Sequence, residues 1–330
     1  DLPPQRTNAS LEREETVRDL LARAGLREVI TYRLTTPEAE AALVPSGSES
    51  DWAIREYVAL ANPITSDKTV MRQTLLAGLL GVAANNARYQ ARQAIFEIGS
   101  VYLPVPGEAL PAEPRRLSML MMGQRHLPDW QTGKGQAEML DYFDLKGVIE
   151  HLLDGLRLPD AAITIEPTTH STFWPGRVAR LRLGDKDLGV FGQIHPLVPE
   201  HYGLERDLDT PVLAAELHLE SLLDFMRTMY PITPIHNQPA VYQDMAIVVS
   251  HDKPAAEVEA AIWAAGGDLL VGVRLFDVYT GEQIPENKKS LAYALTYQHP
   301  EETLTDKRVA KVHSKIAKAL EKQLGAQLRA

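Results

Sequence analysis

Residues 244 to 330 carry an alternation of hydrophobic periods that few folds accommodate. DMAIVVS (244–250) places apolar residues at every second position, as a half-buried strand requires. PAAEVEAAIWAAGG (254–267) opens on Pro and closes on Gly, the expected punctuation of a helix. LLVGVRLFDVY (269–279) and SLAYALTYQ (290–298) are strand-like. TDKRVAKVHSKIAKALEKQLG (305–325) is an amphipathic helix with Val309, Val312, Ile316 and Leu320 as its apolar stripe, and AQLRA supplies a last edge strand. The order β-α-β-β-α-β is the ferredoxin-like plan.

The preceding residues have no such rhythm. Ser10 is a candidate N-cap for a helix carrying Val17, Leu20, Leu21 and Ala24, with Gly25 as its stop. REVITYRL (27–34) reads as a strand and TLLAGLLGVAANNARYQ (74–90) as a largely buried helix. AIFEIGSVYL (94–103) and RRLSMLMMG (115–123) read as strands around a proline-rich loop. EMLDYFDLKGVIEHLLDGL (138–156) is a second helix, followed by short strands in ITIEP, GRVARLRLGDKDLGVFGQI and PVLAAELHL. Strands and helices mixed without regular βαβ units predict an α+β fold on an antiparallel sheet. MYPITPIHNQPA (229–240) has three prolines and no period. It divides the chain into a module over 1–228, a linker at 229–236 and a domain over 237–330.

Charge is unevenly spread. Residues 237–330 hold 11 Lys and Arg against 12 Asp and Glu, whereas the whole chain holds 34 against 44, so the acidity belongs to the first two-thirds. The sequence has no Cys, which excludes disulfides, thiolate metal sites and Cys nucleophiles and fits a reducing cytoplasm. Its longest apolar run, LLAGLLGVAA (75–84), falls short of the ~20 residues of a membrane span. The chain opens on DLPPQR without Met or a secretory leader pattern, as an excerpt of a longer protein would.

Lys307, Lys311, Lys315, Lys318 and Lys322 step by four, four, three and four along the last helix, which places them on one side. A solvated face is the usual fate of helix lysines. Against it stand Arg274, the Lys288–Lys289 pair and Tyr279, Tyr293 and Tyr297 in the adjoining strands: cations and rings on a small sheet are what single-stranded RNA requires. In NPITSDKTVMRQTLL (62–76), Arg72 just before a helix start could bind an anion, sit at an interface or form a buried ion pair. Asp141 and Asp144 open a helix, where acids answer the helix dipole. His170, His195 and His201 form no recognisable ligand set.

NPITSDKTVMRQTLLAGLL, FEIGSVY, DYFDLKG, WPGRVARL and LGVFGQIHP, in this order, resemble the β chain of bacterial phenylalanyl-tRNA synthetases, and LFDVYTGEQIPENKKSLAYALTYQ with TLTD and a long helix resembles its anticodon-binding domain. The resemblance covers nearly the whole chain. It implies a class II synthetase-like antiparallel module without catalysis, followed by a tRNA-binding ferredoxin-like domain. It also implies a catalytic α subunit as partner, an (αβ)2 heterotetramer, and ATP and Mg2+ in the complete enzyme. GVFGQIHP (189–196) and FEIG (96–99) lack the arginines that an ATP-binding class II site needs, so no catalytic or metal-binding residue is assigned. The roles implied are tRNA binding by Tyr242, Arg274, Tyr279, Lys288, Lys289, Tyr293, Lys307, Lys311 and Lys315, and subunit contact through Val17, Leu20, Arg72 and Arg177. Two departures stand out: Trp174 where family members carry His, and Tyr242-Gln243 where they carry arginines. A single-chain phenylalanyl-tRNA synthetase and a stand-alone RNA-binding or scaffold protein are the rival readings.

Overall fold

A computed structural model describes residues 8–45, 55–126, 138–159, 163–204, 210–227, 229 and 237–329. The chain separates into two units, Asp1–Tyr230 and Pro231–Ala330. Of the expected linker at 229–236, all but Met229 lies outside the described residues.

The first unit runs α1 (Ala9–Arg23), β1 (Arg27–Glu28), β2 (Leu34–Thr35), α2 (Pro37–Ala41), β3 (Val70–Met71), α3 (Leu76–Ala87), β4 (Gln93–Ser100) and β5 (Arg115–Met122). It continues with α4 (Tyr142–Gly155), β6 (Ile163–Pro167), β7 (Phe173–Leu183), β8 (Lys186–Ile194), α5 (Leu197–His201), β9 (Leu213–His218) and α6 (Leu219–Phe225). Seven strands form one sheet in the order β1-β4-β5-β9-β8-β7-β6, antiparallel except where β1 meets β4. Apolar residues occupy both faces of its central strands. Phe96, Leu117, Met119, Phe191 and Leu217 join the cluster with Val17 and Leu21 of α1, Ile149 and Leu152 of α4 and Leu222 of α6. Ile95, Leu120 and Ala214 join Leu79, Leu80 and Ala83 of α3 on the other face.

Two local expectations are corrected. The N-cap of α1 is Asn8, whose side chain accepts the amides of Ser10 and Leu11, while Ser10 lies inside the helix. REVITYRL is not one strand. Only Arg27–Glu28 and Leu34–Thr35 pair, because the Thr31 amide and hydroxyl between them bond the Glu97 carboxylate (3.2 and 2.7 Å) instead of a neighbouring strand. The acids at the start of α4 form a capping box: Asp141 accepts the Phe143 and Asp144 amides, and Asp144 accepts the Asp141 amide.

The second unit runs β10 (Val241–Ser250), α7 (Ala255–Gly266), β11 (Leu270–Tyr279), β12 (Lys288–Tyr297), α8 (Asp306–Leu324) and β13 (Gln327–Leu328). This is the β-α-β-β-α-β order read from the sequence. The strands pair antiparallel in the order β11-β12-β10-β13. Gly325 ends α8 in the left-handed conformation (φ 63°), which a side chain would disfavour. Met245, Ile247, Val249, Leu291, Tyr293, Leu295 and Tyr297 form one sheet face and pack with Val258 and Ile262 of α7 and Val309, Ile316 and Leu320 of α8. Both helices therefore cover the same face and leave the other open.

Candidate nucleic-acid interface

The alternation of strand residues decides what each face of the second unit offers. In β12 the odd positions Tyr293 and Tyr297 face the helices and are fully buried. The Tyr293 hydroxyl donates to the Ala255 carbonyl (3.2 Å), and burial raises its pKa; Tyr297 lies 3.3 Å from His313 Nδ1 and is pushed up to about 12. Neither ring can stack on a base, which corrects the expectation for Tyr293 and for Tyr297. Both belong to the hydrophobic core beneath α7 and α8.

The open face is carpeted by small side chains. Thr296 opposes Tyr242 and Gly272, Ala294 opposes Asp244 and Arg274, Ala292 opposes Ala246 and Asp277, and Ser290 opposes Val248 and Tyr279. Above this floor stand Tyr242, 74% exposed, and Tyr279. Phe276, 46% exposed, is the extra residue of a β-bulge between Leu275 and Asp277, and its ring centre lies 6.0 Å from the Arg274 guanidinium. The sequence reading missed Phe276 because strand period alone does not reveal a bulge. Arg329, just past β13 at the far edge of the sheet, reaches the Tyr279 ring (5.4 Å) and donates to Gln283 (2.8 Å). Tyr242, Arg274 and Tyr279 are thus brought together on one surface, with Phe276 and Arg329 added.

The lysines of α8 are elsewhere. At ~100° per residue, Lys307, Lys311, Lys315, Lys318 and Lys322 fall within an arc of about 80°, centred roughly opposite the Val309–Ile316–Leu320 stripe that seats the helix on the sheet. All five are exposed, on the side of the unit away from the rings. Lys288 and Lys289 do not act as a pair either. Lys288 opposes Ser250 on the open face, and Lys289 opposes Val249 on the helix-covered face. The single ring-and-cation platform expected from the sequence is therefore two surfaces.

In the first unit, Val17 and Leu20 are buried in their own core, Leu20 against Gly155 of α4, and cannot present side chains to another subunit. Arg72 is equally enclosed. Its Nη1 donates to Glu97 Oε1 (2.7 Å) and Thr31 Oγ1 (2.9 Å), and its Nε to the Ser100 carbonyl (3.0 Å). A Cβ at Gly99 would stand 2.2 Å from Arg72 Nη2, so FEIG and the distant Arg72 are one structural device. Arg177 is exposed, lies 4.2 Å over the Trp174 ring and donates to Gln193 (2.7 Å). The exposed apolar side chains of this unit include Ile30, Tyr32 and Ile64, along with Tyr89, Leu110 and Phe143; the Lys68 ammonium sits over the Tyr32 ring (3.7 Å). Among the described residues no three His, Asp or Glu side chains are grouped to hold a metal, and no helix is long and apolar enough to cross a membrane.

Comparison with known proteins agrees with this two-unit architecture. Residues 237–329 match a ferredoxin-fold anticodon-binding domain. The phenylalanine–tRNA ligase beta subunit of Symbiobacterium thermophilum is 43% identical over 313 residues, covering 94% of this chain and 34% of that protein. The beta subunits of Geobacillus kaustophilus (39% identical, 95% of this chain, 37% of the relative) and Geobacter sulfurreducens (35% identical, 96% and 38%) are also similar. The chain therefore spans little more than a third of the length of the relatives it matches. Residues 1–219, about two-thirds of the chain, match the phenylalanyl-tRNA synthetase beta chain CLM domain, and the chain belongs to this family.

Proposed function

We propose that the chain is a non-catalytic part of the β subunit of a cytoplasmic phenylalanine–tRNA ligase, in which residues 237–330 bind tRNA(Phe) and residues 1–228, joined to them through 229–236, assemble with the catalytic α subunit. The open face of the second unit carries this reading. Three exposed rings, Tyr242, Phe276 and Tyr279, stand with Arg274 and Arg329 over a floor of Ala, Gly, Ser and Thr. Small floor residues let bases approach the sheet, aromatic rings stack on them at about 1–3 kcal/mol each, and guanidiniums attract phosphates. The lysine face of α8 adds a long-range positive field to an acidic chain.

In the first unit, the exposed Ile30, Tyr32 and Ile64 and the surface Arg177 are the residues for subunit contact within an (αβ)2 assembly, in place of the buried Val17, Leu20 and Arg72. ATP and Mg2+ serve the α subunit. Where a class II strand would carry an ATP-binding Arg, this chain has Glu97, and Glu97 is already neutralised by Arg72.

The test is filter binding of tRNA(Phe) to the full chain. Tyr242→Ala and Tyr279→Ala are each expected to weaken binding by about 1–3 kcal/mol with no change in folding. Replacing Lys307, Lys311 and Lys315 by Glu is expected to flatten the salt dependence and weaken binding. Unchanged affinity in both ring variants would sink the assignment.

A further inference from the structure

The sheet face beneath α3 is apolar over only part of its length. One row across the strands, Ile95–Leu120–Ala214–Gly192–Val178, contributes to the α3 core. Two residues along, the row becomes Glu97–Ser118–Glu216–Val190–Arg180, and beyond it Arg116 pairs with His218. A cavity of about 540 Å³ opens over this polar part, lined by Arg116, Arg180, Asp187, Glu216, His170 and His218 among others. Its size is that of a small-molecule site.

The acids and cations here differ in how far they are satisfied. Glu216 Oε1 accepts the Thr74 hydroxyl (2.8 Å), the Leu75 amide (2.9 Å) and the Ser118 hydroxyl (3.1 Å). Asp187 Oδ1 accepts the Gly189 amide (2.8 Å). By contrast, Arg180 Nε is buried and makes no hydrogen bond, its nearest carboxylate oxygen, Asp187 Oδ2, standing 3.6 Å away. The Arg116 guanidinium makes no hydrogen bond or ion pair among the described residues. Burial lowers the pKa of both histidines, Arg116 lowers His218 further, and His218 Nδ1 is 3.1 Å from the Asp187 carbonyl. A guanidinium offers five donors, and both arginines are half-buried, so the buried Arg180 Nε and the Arg116 guanidinium leave donors that an acceptor in the cavity can take.

We propose that this cleft binds the oxyanion group, phosphate or carboxylate, of a small soluble molecule between Arg116 and Arg180. The ligand's oxygens complete the hydrogen bonds that the fold leaves unmade, and their negative charge offsets the field of Arg116 on His218.

The experiment titrates the full chain at constant ionic strength with inorganic phosphate, acetate and adenosine monophosphate in separate arms, by calorimetry and by NMR of the His218 imidazole. Saturable binding with a dissociation constant of about a millimolar is expected for a lone anion. A stronger response to phosphate and the nucleotide than to acetate assigns a phosphate ligand, and the reverse a carboxylate. Arg116→Gln and Arg180→Gln are each expected to weaken binding at least about tenfold, Arg116→Lys less, and Arg23→Gln on the exposed face of α1 not at all. Phosphate should raise the His218 pKa in the wild type and leave it unmoved in Arg116→Gln. Arg116→Gln should fold normally, since its guanidinium bonds nothing among the described residues, and Arg180→Gln offers an independent variant. The proposal is overturned by the absence of saturable binding in all arms, or by binding that survives both substitutions.

Discussion

Replacing Arg72 by Met should destabilise the first unit far more than any surface change. Arg72 and Glu97 have side chains only 5% and 1% exposed, 2.7 Å apart. Without the guanidinium, Glu97 keeps the Thr31 amide and hydroxyl as donors but loses its only counter-charge among the described residues, and the Ser100 carbonyl loses its Arg72 donor. Removing one partner of a buried pair costs about 3–5 kcal/mol, because the remaining charge stays desolvated. For a unit of this size each kcal/mol corresponds to ~2–4 °C, so the melting transition of this unit should fall by roughly 6–20 °C. Glu97→Gln should cost a similar amount by leaving Arg72 uncompensated. The Arg72→Met/Glu97→Gln double variant removes both charges and should cost well under the sum of the singles, with a coupling energy above ~2 kcal/mol. Urea and thermal denaturation of the chain on its own, followed by fluorescence, measure all three. Additive single costs, or an Arg72→Met cost below ~1 kcal/mol, would refute the reasoning. The same assay separates this role from a subunit contact, whose loss would leave the isolated chain's stability unchanged and alter only assembly.

Gly99→Ala should act on the same device, since its Cβ would stand 2.2 Å from Arg72 Nη2; displacing a buried guanidinium should cost about 1–3 kcal/mol in denaturant titration. Glu40 is wholly buried, its Oε1 accepts the Gln73 amide (2.7 Å), and desolvation pushes its pKa to about 7 despite that hydrogen bond. Because the folded state holds this proton more tightly than the unfolded one, stability should fall as pH rises from about 4.5 to about 7 and level off above, an effect of about 3 kcal/mol. Glu40→Gln should remove that slope in melting curves recorded across the range. Tyr293→Phe deletes one hydrogen bond to Ala255 inside the core and should lower stability by about 1 kcal/mol while leaving tRNA affinity unchanged, the opposite of the Tyr242→Ala outcome.

The order of elements in the second unit was legible because its strands are amphipathic at period two and its helices at 3.6, with Pro and Gly at their ends. The helices at 76–87 and 142–155 and the strands at 93–100 and 115–122 were legible for the same reason. The broken strand at 27–35 was not, since its apolar content suits pairing and only the approach of Glu97, 66 residues from Thr31, diverts it. Nor was the fate of the tyrosines. Alternation says that Tyr279 and Tyr293 each lie on one face or the other, but not which face the helices cover.

Local pattern determined the identity and succession of the elements, the exposure of the α8 lysines and the family to which the chain is similar, because strand and helix periods express steric preferences between near neighbours. Tertiary packing decided that Tyr293 is core while Tyr242, Phe276 and Tyr279 are surface, that Arg72 answers Glu97 within the unit, and that the lysines and rings occupy opposite sides. Those outcomes depend on which apolar surfaces bury one another across long stretches of chain, and only the folded arrangement contains that information.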